Sequence, residues 1–103
     1  MSPARKARRI PKRPRRLSAA ELRAALVRLP NWRLDGGRLY REWTFPDFAT
    51  AFSFMTKVAL VAEAMGHHPD WSNSYRMVRI WLTTHDAGGI TIKDIALAES
   101  IGA

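Results

Sequence analysis

Imidazole titrates near neutral pH, so a cluster of histidines can supply both a proton donor and a proton acceptor in water. The chain holds three histidines, and they fall close together. His67 and His68 are neighbours in EAMGHHPDW, and His85 follows in LTTHDAGG. Carboxylates are interleaved with them: Glu63, Asp70, Asp86 and Asp94 are near enough in sequence to orient a ring nitrogen. Three chemistries compete on these residues alone. The histidines are ordinary polar loop residues, or they are metal ligands, or they perform metal-free acid–base catalysis. Histidine and aspartate suffice for zinc, but adjacent side chains in extended backbone point apart, and the helical His-x-x-x-His spacing is missing. No nucleophile elbow, phosphate loop or dinucleotide fingerprint is present, and Gly88-Gly89 alone is very weak evidence for phosphate binding.

For the three imidazoles to share a site, the chain between them must fold back. Read as one strand, residues 71–85 would hold the histidines about 50 Å apart, at about 3.3 Å per residue. A turn centred near Tyr75-Arg76 makes a hairpin instead. Partner numbers in an antiparallel pair sum to a constant, so positions 67 and 68 then lie opposite roughly 83 and 84. His85 comes to rest beside the His67-His68 pair.

The elements that carry this hairpin are legible on both sides. Ser18 with Glu21 three residues later reads as a capping box, with Leu17 as a hydrophobic staple. Leu22, Leu26 and Leu29 recur at helical spacing until Pro30. Trp32–Leu34 and Arg38–Phe45, split by Asp35-Gly36-Gly37, read as a first β-hairpin. Asp47 caps a long helix with Gly66 as its closing residue. That helix has two apolar stripes. Phe48, Phe52, Met55, Ala59 and Ala62 form one; Phe54, Val58, Val61 and Met65 form the other, assigned here to a subunit interface, against the alternative of a wide core contact. Val78, Ile80 and Leu82 alternate with Arg79, Trp81 and Thr83, and Thr91 caps a last helix carrying Ile92, Ile95, Ala96 and Ile101. The expected fold is an α+β domain: a four-stranded antiparallel sheet with helices packed on one face, in the order α-β-β-α-β-β-α.

Charge divides the chain differently. Of its 103 residues, 17 are Lys or Arg and 9 are Asp or Glu. Arg5, Lys6, Arg8, Arg9, Lys12, Arg13, Arg15 and Arg16 all lie in the first sixteen positions, without an acid. The rest of the chain is formally neutral, so the net charge of +8 belongs to one end and does not make the domain a nucleic-acid binder. With Pro3, Pro11 and Pro14 among the arginines, residues 1–16 read as a disordered basic tail and 17–103 as the domain. The tail is a solvated extension, a polyanion contact, or a targeting segment. The absence of cysteine excludes a disulfide framework and thiolate zinc motifs, with a reducing cytoplasm as the default compartment. No apolar run is long enough to span a bilayer, so no membrane partner is expected, and no apolar h-region follows the basic start.

With these residues in view, the stretch from Asp47 to Ala98 closely resembles the pterin-4a-carbinolamine dehydratase family. The family pattern is an acid, three residues, His-His-Pro, an aromatic, a later histidine and an aspartate. It is matched by Glu63, His67-His68-Pro69, Tyr75, His85 and Asp94. The resemblance implies loss of water from a 4a-hydroxytetrahydropterin to give a quinonoid dihydropterin, in the recycling of a pterin cofactor, with no metal or organic cofactor. It implies His67, His68 and His85 as the catalytic trio. Glu63, Pro69, Thr84, Asp86 and Ala87 match positions that contact or shape the pterin site, and Asp94 matches one that orients a histidine or the loop. Trp71 is a candidate to pack near the flat ring, with a place in the core as the alternative. Homodimers formed through the sheet, paired into homotetramers through helix 47–65, are implied too. A non-catalytic dimerisation, assembly or transcriptional-coactivator scaffold is the rival role on the same fold, and fold alone does not decide between them.

Overall fold

The computed structural model describes residues 10–103; the basic residues Arg5, Lys6, Arg8 and Arg9, with Pro3, lie outside them. Helix α1 (Ala19–Val27) starts at Ser18, whose side chain accepts the Glu21 N–H while Glu21 reaches back to the Ser18 N–H. Strands β1 (Arg33–Asp35) and β2 (Arg38–Thr44) follow. Gly36 and Gly37 both sit at positive φ, 59° and 79°, as the two central residues of a type I′ hairpin turn require. Helix α2 (Phe48–Met65) begins at Asp47, which accepts from the Thr50 N–H. Strands β3 (Asp70–Ser74) and β4 (Met77–Leu82) come next, and α3 (Ile92–Ile101) completes the fold.

The four strands form one antiparallel sheet in the order β1-β2-β4-β3. Val78, Ile80 and Leu82 on β4 are fully buried, with Leu39 of β2 beside Leu82. They share one core with Ala51, Val58 and Ala62 of α2, Ile95, Leu97 and Ala98 of α3, and Ala25 and Leu29 from the α1 region. The alternating residues point to the opposite face, where Tyr40 and Trp81 pair at 5.1 Å between centroids. The expected α+β fold, with its helices on one face of a four-stranded antiparallel sheet, is the observed one.

The structure takes the alternative weighed for the second stripe of α2, a wide core contact, to which Met55 and Ala62 of the first stripe also contribute. The stripe assigned to an interface, Phe54, Val58, Val61 and Met65, packs against the core, while Phe48 and Phe52 of the other stripe stay about half exposed. The sheet selects the face that also carries Ala51 and Ala62, because small residues let the helix approach closely. A second correction concerns length. Helix α2 has 18 residues and mean hydropathy 1.3, enough by length and composition to cross a membrane. In this fold its Ala51, Val58 and Ala62 are instead buried against the sheet and α3.

Residues preceding α1 are seated on the domain. Pro14 is buried, and the Leu17 N–H donates to the Ile90 carbonyl at 2.8 Å. The Arg16 side chain lies across Gly89, where an added Cβ would come within 2.5 Å of its Cδ. Arg15 grips both oxygens of Glu21, at 2.7 and 2.6 Å. That guanidinium, with the Ser18 N–H, holds the Glu21 carboxyl at about 2, against an ordinary 4.5. Because the folded value is depressed, the contribution is complete above about pH 4.5 and is lost as pH falls toward about 2. The Tm difference between the wild type and Glu21→Gln is therefore expected to be small, constant above that range, and to close on acidification. A difference that ignores pH would refute the pairing in solution.

Candidate active site

Each imidazole is placed by a local backbone device. Helix α2 ends at Gly66, which adopts the left-handed conformation (φ 65°). The Gly66 N–H bonds the Glu63 carbonyl, and the His67 N–H bonds the Ala62 carbonyl at 3.0 Å. This is the paired closure of a Schellman motif, and it fixes His67 and His68 directly beyond the core helix. The β3–β4 hairpin turns at Tyr75-Arg76, with Tyr75 at φ 53°. The Asn73 amide spans the turn, donating to the carbonyls of Tyr75 and Met77. Ser74 pairs with Met77 and Asp70 with Trp81, so the hairpin brings the chain before β3 back beside the chain after β4. Beyond β4 the chain makes a tight turn, His85–Ala87, closed by backbone bonds between Thr84 and Gly89.

The result is a cleft of about 270 Å³ lined by Gly66, His67, His68, Thr83, Thr84, His85, Asp86 and Lys93. All three histidines contribute to it. They differ sharply in how they are held. The His67 side chain is only 11% exposed, and its Nε2 lies 2.6 Å from Oδ1 of Asp94, a carboxylate with no exposure. Asp94 Oδ2 accepts from the Thr84 hydroxyl at 2.8 Å and from the Thr91 N–H at 2.9 Å. Since the Thr84 proton goes to Asp94, the Thr91 hydroxyl must be the donor in the 2.8 Å Thr84–Thr91 bond. The Lys93 N–H in turn donates to Thr91 at 3.2 Å. Every buried side-chain polar atom in this network has a partner. An ionised Asp94 only accepts, which makes His67 Nε2 the donor and leaves Nδ1 as its free ring nitrogen.

His68 and His85 lie on the open side of the cleft. His68 Nε2 is 2.8 Å from Oε1 of Glu63, and both side chains are largely exposed. His85 is 77% exposed, with Nε2 3.5 Å from Oδ2 of Asp70. One imidazole is thus anchored by a buried carboxylate, while two stand where solvent or substrate reaches them. Among the described residues, no three His, Cys, Asp or Glu side chains converge as a metal cage would need.

The other expected site residues divide. Thr84 and Asp86 line the cleft, and Ala87 lines an adjoining cavity. Glu63 acts on the cleft through His68. Pro69 is half-buried between His68 and β3 and does not line the cleft. Trp71 packs against the hydrophobic core, paired with Ile80, so the core place weighed for it is the one it occupies. Lys93, Thr83 and Gly66 line the cleft and were not expected from sequence as site residues, although Gly66 was read as the helix closure. Lys93 had one available signal, its position inside the Thr91–Asp94 cap.

A family model described as pterin 4 alpha carbinolamine dehydratase matches residues 15–103. A protein of Synechococcus sp. (strain WH7803), named provisionally as a pterin-4-alpha-carbinolamine dehydratase, is 60% identical over 75 residues, which is 73% of this chain and 81% of that one. A protein of Afipia carboxidovorans with the same provisional name is 56% identical over 87 residues, 82% of this chain and 87% of its own. A crystal structure described as transcriptional coactivator/pterin dehydratase from Brucella melitensis matches with a TM-score of 0.79 at 42% identity, covering 84% of this chain and 94% of that one.

Proposed function

The chain belongs to the pterin 4 alpha carbinolamine dehydratase family, and from that premise we propose that it removes water from a 4a-hydroxytetrahydropterin to give quinonoid dihydropterin, as a step in recycling a pterin cofactor. The observation that carries the reading is the single cleft shared by His67, His68 and His85. In the reaction the C4a–O bond breaks, the N5–H proton leaves, and a C4a=N5 double bond forms. The hydroxyl departs as water after taking up a proton. The site therefore needs one imidazole as base and another as acid.

We assign the base to His67. Its Nε2–H is tied to Asp94, so the lone pair is on Nδ1, and the buried carboxylate balances the charge that arrives with the proton. The acid comes from His68 or His85, whose exposure lets them exchange protons with water. Thr84, Asp86 and Lys93 form the cleft wall on which the pterin lies, with Ala87 and Pro69 shaping its surroundings. No metal or organic cofactor enters this scheme.

The domain spans residues 17–103 and residues 1–16 are an accessory arm. The proposed assembly is a homodimer through the sheet or a homotetramer through helix 47–65, where the exposed Phe48 and Phe52 support the helix contact. The cytoplasm is the proposed compartment. A scaffold or coactivator role is the second reading, favoured by the description of the Brucella melitensis protein.

The test is purified protein added, with chelator, to freshly generated 4a-hydroxytetrahydropterin, following quinonoid dihydropterin by absorbance. Acceleration well above the spontaneous loss of water is expected. Folded protein that gives none would turn the assignment toward the scaffold.

A further inference from the structure

The histidine cleft is small, about 270 Å³, below the roughly 300–1,000 Å³ typical of ligand pockets. Part of its wall is shared with a neighbouring cavity. A second cavity of about 380 Å³ is lined by Lys12, Arg13, Pro14, Thr84, Asp86, Ala87 and Lys93. Thr84, Asp86 and Lys93 belong to both. The far side of this second compartment is built by the basic arm, and by residues that precede the matched family region, 15–103. It is therefore a property of this chain over and above its family's common domain.

Residues 14–17 are held in place by specific contacts. Leu17 is bonded to Ile90, Pro14 is buried, Arg15 is clamped by Glu21, and Arg16 Nη1 reaches the Gly88 carbonyl at 3.5 Å across the bare Cα of Gly89. Those bonds occupy Arg15 and Arg16. Lys12, Arg13 and Lys93 face the cavity with no ion pair among the described residues, and Asp86 is the one acid in its lining. A cavity with three cationic side chains and one carboxylate is electrostatically suited to an anion.

We propose that this compartment receives an anionic substituent, carboxylate or phosphate, carried on the side chain of the pterin whose ring occupies the histidine cleft. The substrate class is thus an anionic pterin. The inference rests on the pterin reading of the cleft. Lys12, Arg13 and Lys93 are specificity residues in it and take no part in the proton transfers.

The test compares three probes on the full chain: 6-hydroxymethylpterin, its phosphate monoester, and pterin-6-carboxylate. Binding is followed by pterin fluorescence, and turnover on neutral 4a-hydroxytetrahydropterin is measured in parallel. At least one anionic probe is expected to bind about tenfold more tightly than the neutral one, the scale of a charge-assisted contact at a partly solvated site. The preference should shrink as salt is raised, and the comparison of phosphate with carboxylate identifies the anion. In Lys12→Ser/Arg13→Ser, with Lys93 the one cation left in the lining, the preference should fall several-fold.

Equal binding of all three probes by the wild type, or a preference that survives the double substitution undiminished, would overturn the proposal. If the neutral substrate is still dehydrated in that case, only this inference falls. If no pterin binds or turns over, the pterin reading itself falls. A single-stranded oligonucleotide that binds through Lys12 and Arg13, with no pterin preference, would assign the arm to a polyanion and also overturn it.

Discussion

Asp94→Asn is expected to lower kcat by about 100-fold, within the roughly 10²–10⁴ range of general acid–base contributions, while KM changes by less than about threefold. Asp94 is fully buried beneath His67 and accepts three hydrogen bonds, from His67, Thr84 and the Thr91 N–H. It cannot touch a substrate in the cleft, so its influence passes through the ring of His67. An asparagine amide can still accept from His67 on one side. Its NH₂ then meets the Thr91 N–H and the Thr84 hydroxyl, leaving a buried donor unpaired at about 1–3 kcal/mol. The negative charge that would balance a protonated His67 is also gone. The split between kcat and KM is the decisive readout. A kcat loss matched by a loss of secondary structure would mean that Asp94 only holds the fold. An unchanged kcat in a folded variant would remove His67 from the proposed chemistry.

Single histidine replacements should separate the trio by stability as well as by rate. His67→Ala deprives buried Asp94 of one partner and is expected to destabilise the fold by about 2 kcal/mol, discounted because Thr84 and Thr91 still serve the carboxylate. That corresponds to a Tm lowered by about 10 °C for a domain of this size. His68→Ala and His85→Ala remove largely exposed side chains, and their stability should stay within about 0.5 kcal/mol of wild type. The residue that serves as acid should nevertheless lose about 100-fold or more in kcat. Thermal melts and initial rates on the three variants check this together. If neither exposed histidine affects turnover, the acid lies elsewhere and the assignment of roles is wrong.

Much of the site was readable before any coordinates because its geometry follows from local rules. The Gly66 closure and the Asp47 and Thr91 caps are short-range devices with strong residue signatures. The turn at Tyr75-Arg76 has only a moderate residue signal of its own and follows from the requirement that His85 meet His67 and His68; the structure turns there. Trp71 could have been assigned from the same register, because residues opposite the buried even-numbered positions of β4 must face the core. The features that were not legible depend on tertiary choice. Two apolar stripes on one helix do not say how the core divides them; members of both reach it, with Ala51 and Ala62 buried, while Phe48 and Phe52 stay outside. The seating of residues 14–17 was not legible for a different reason. A run of arginines reads as solvated by its charge alone, whereas the seat of Pro14 and the fit of Arg16 over Gly89 exist only once the 84–89 loop is folded.

Asp94 serves two structures at once. It receives the Thr91 N–H in the first turn of the last helix, and it holds the ring of His67. Fraying that single turn therefore disables the site while the sheet and the long helix remain intact. The protein should lose activity on warming several degrees before its circular dichroism changes, since helix ends open at a smaller free energy than the whole domain. A ligand that closes the cleft would suppress this early, reversible inactivation and raise the amide-exchange protection of residues 91–94 more than that of β4.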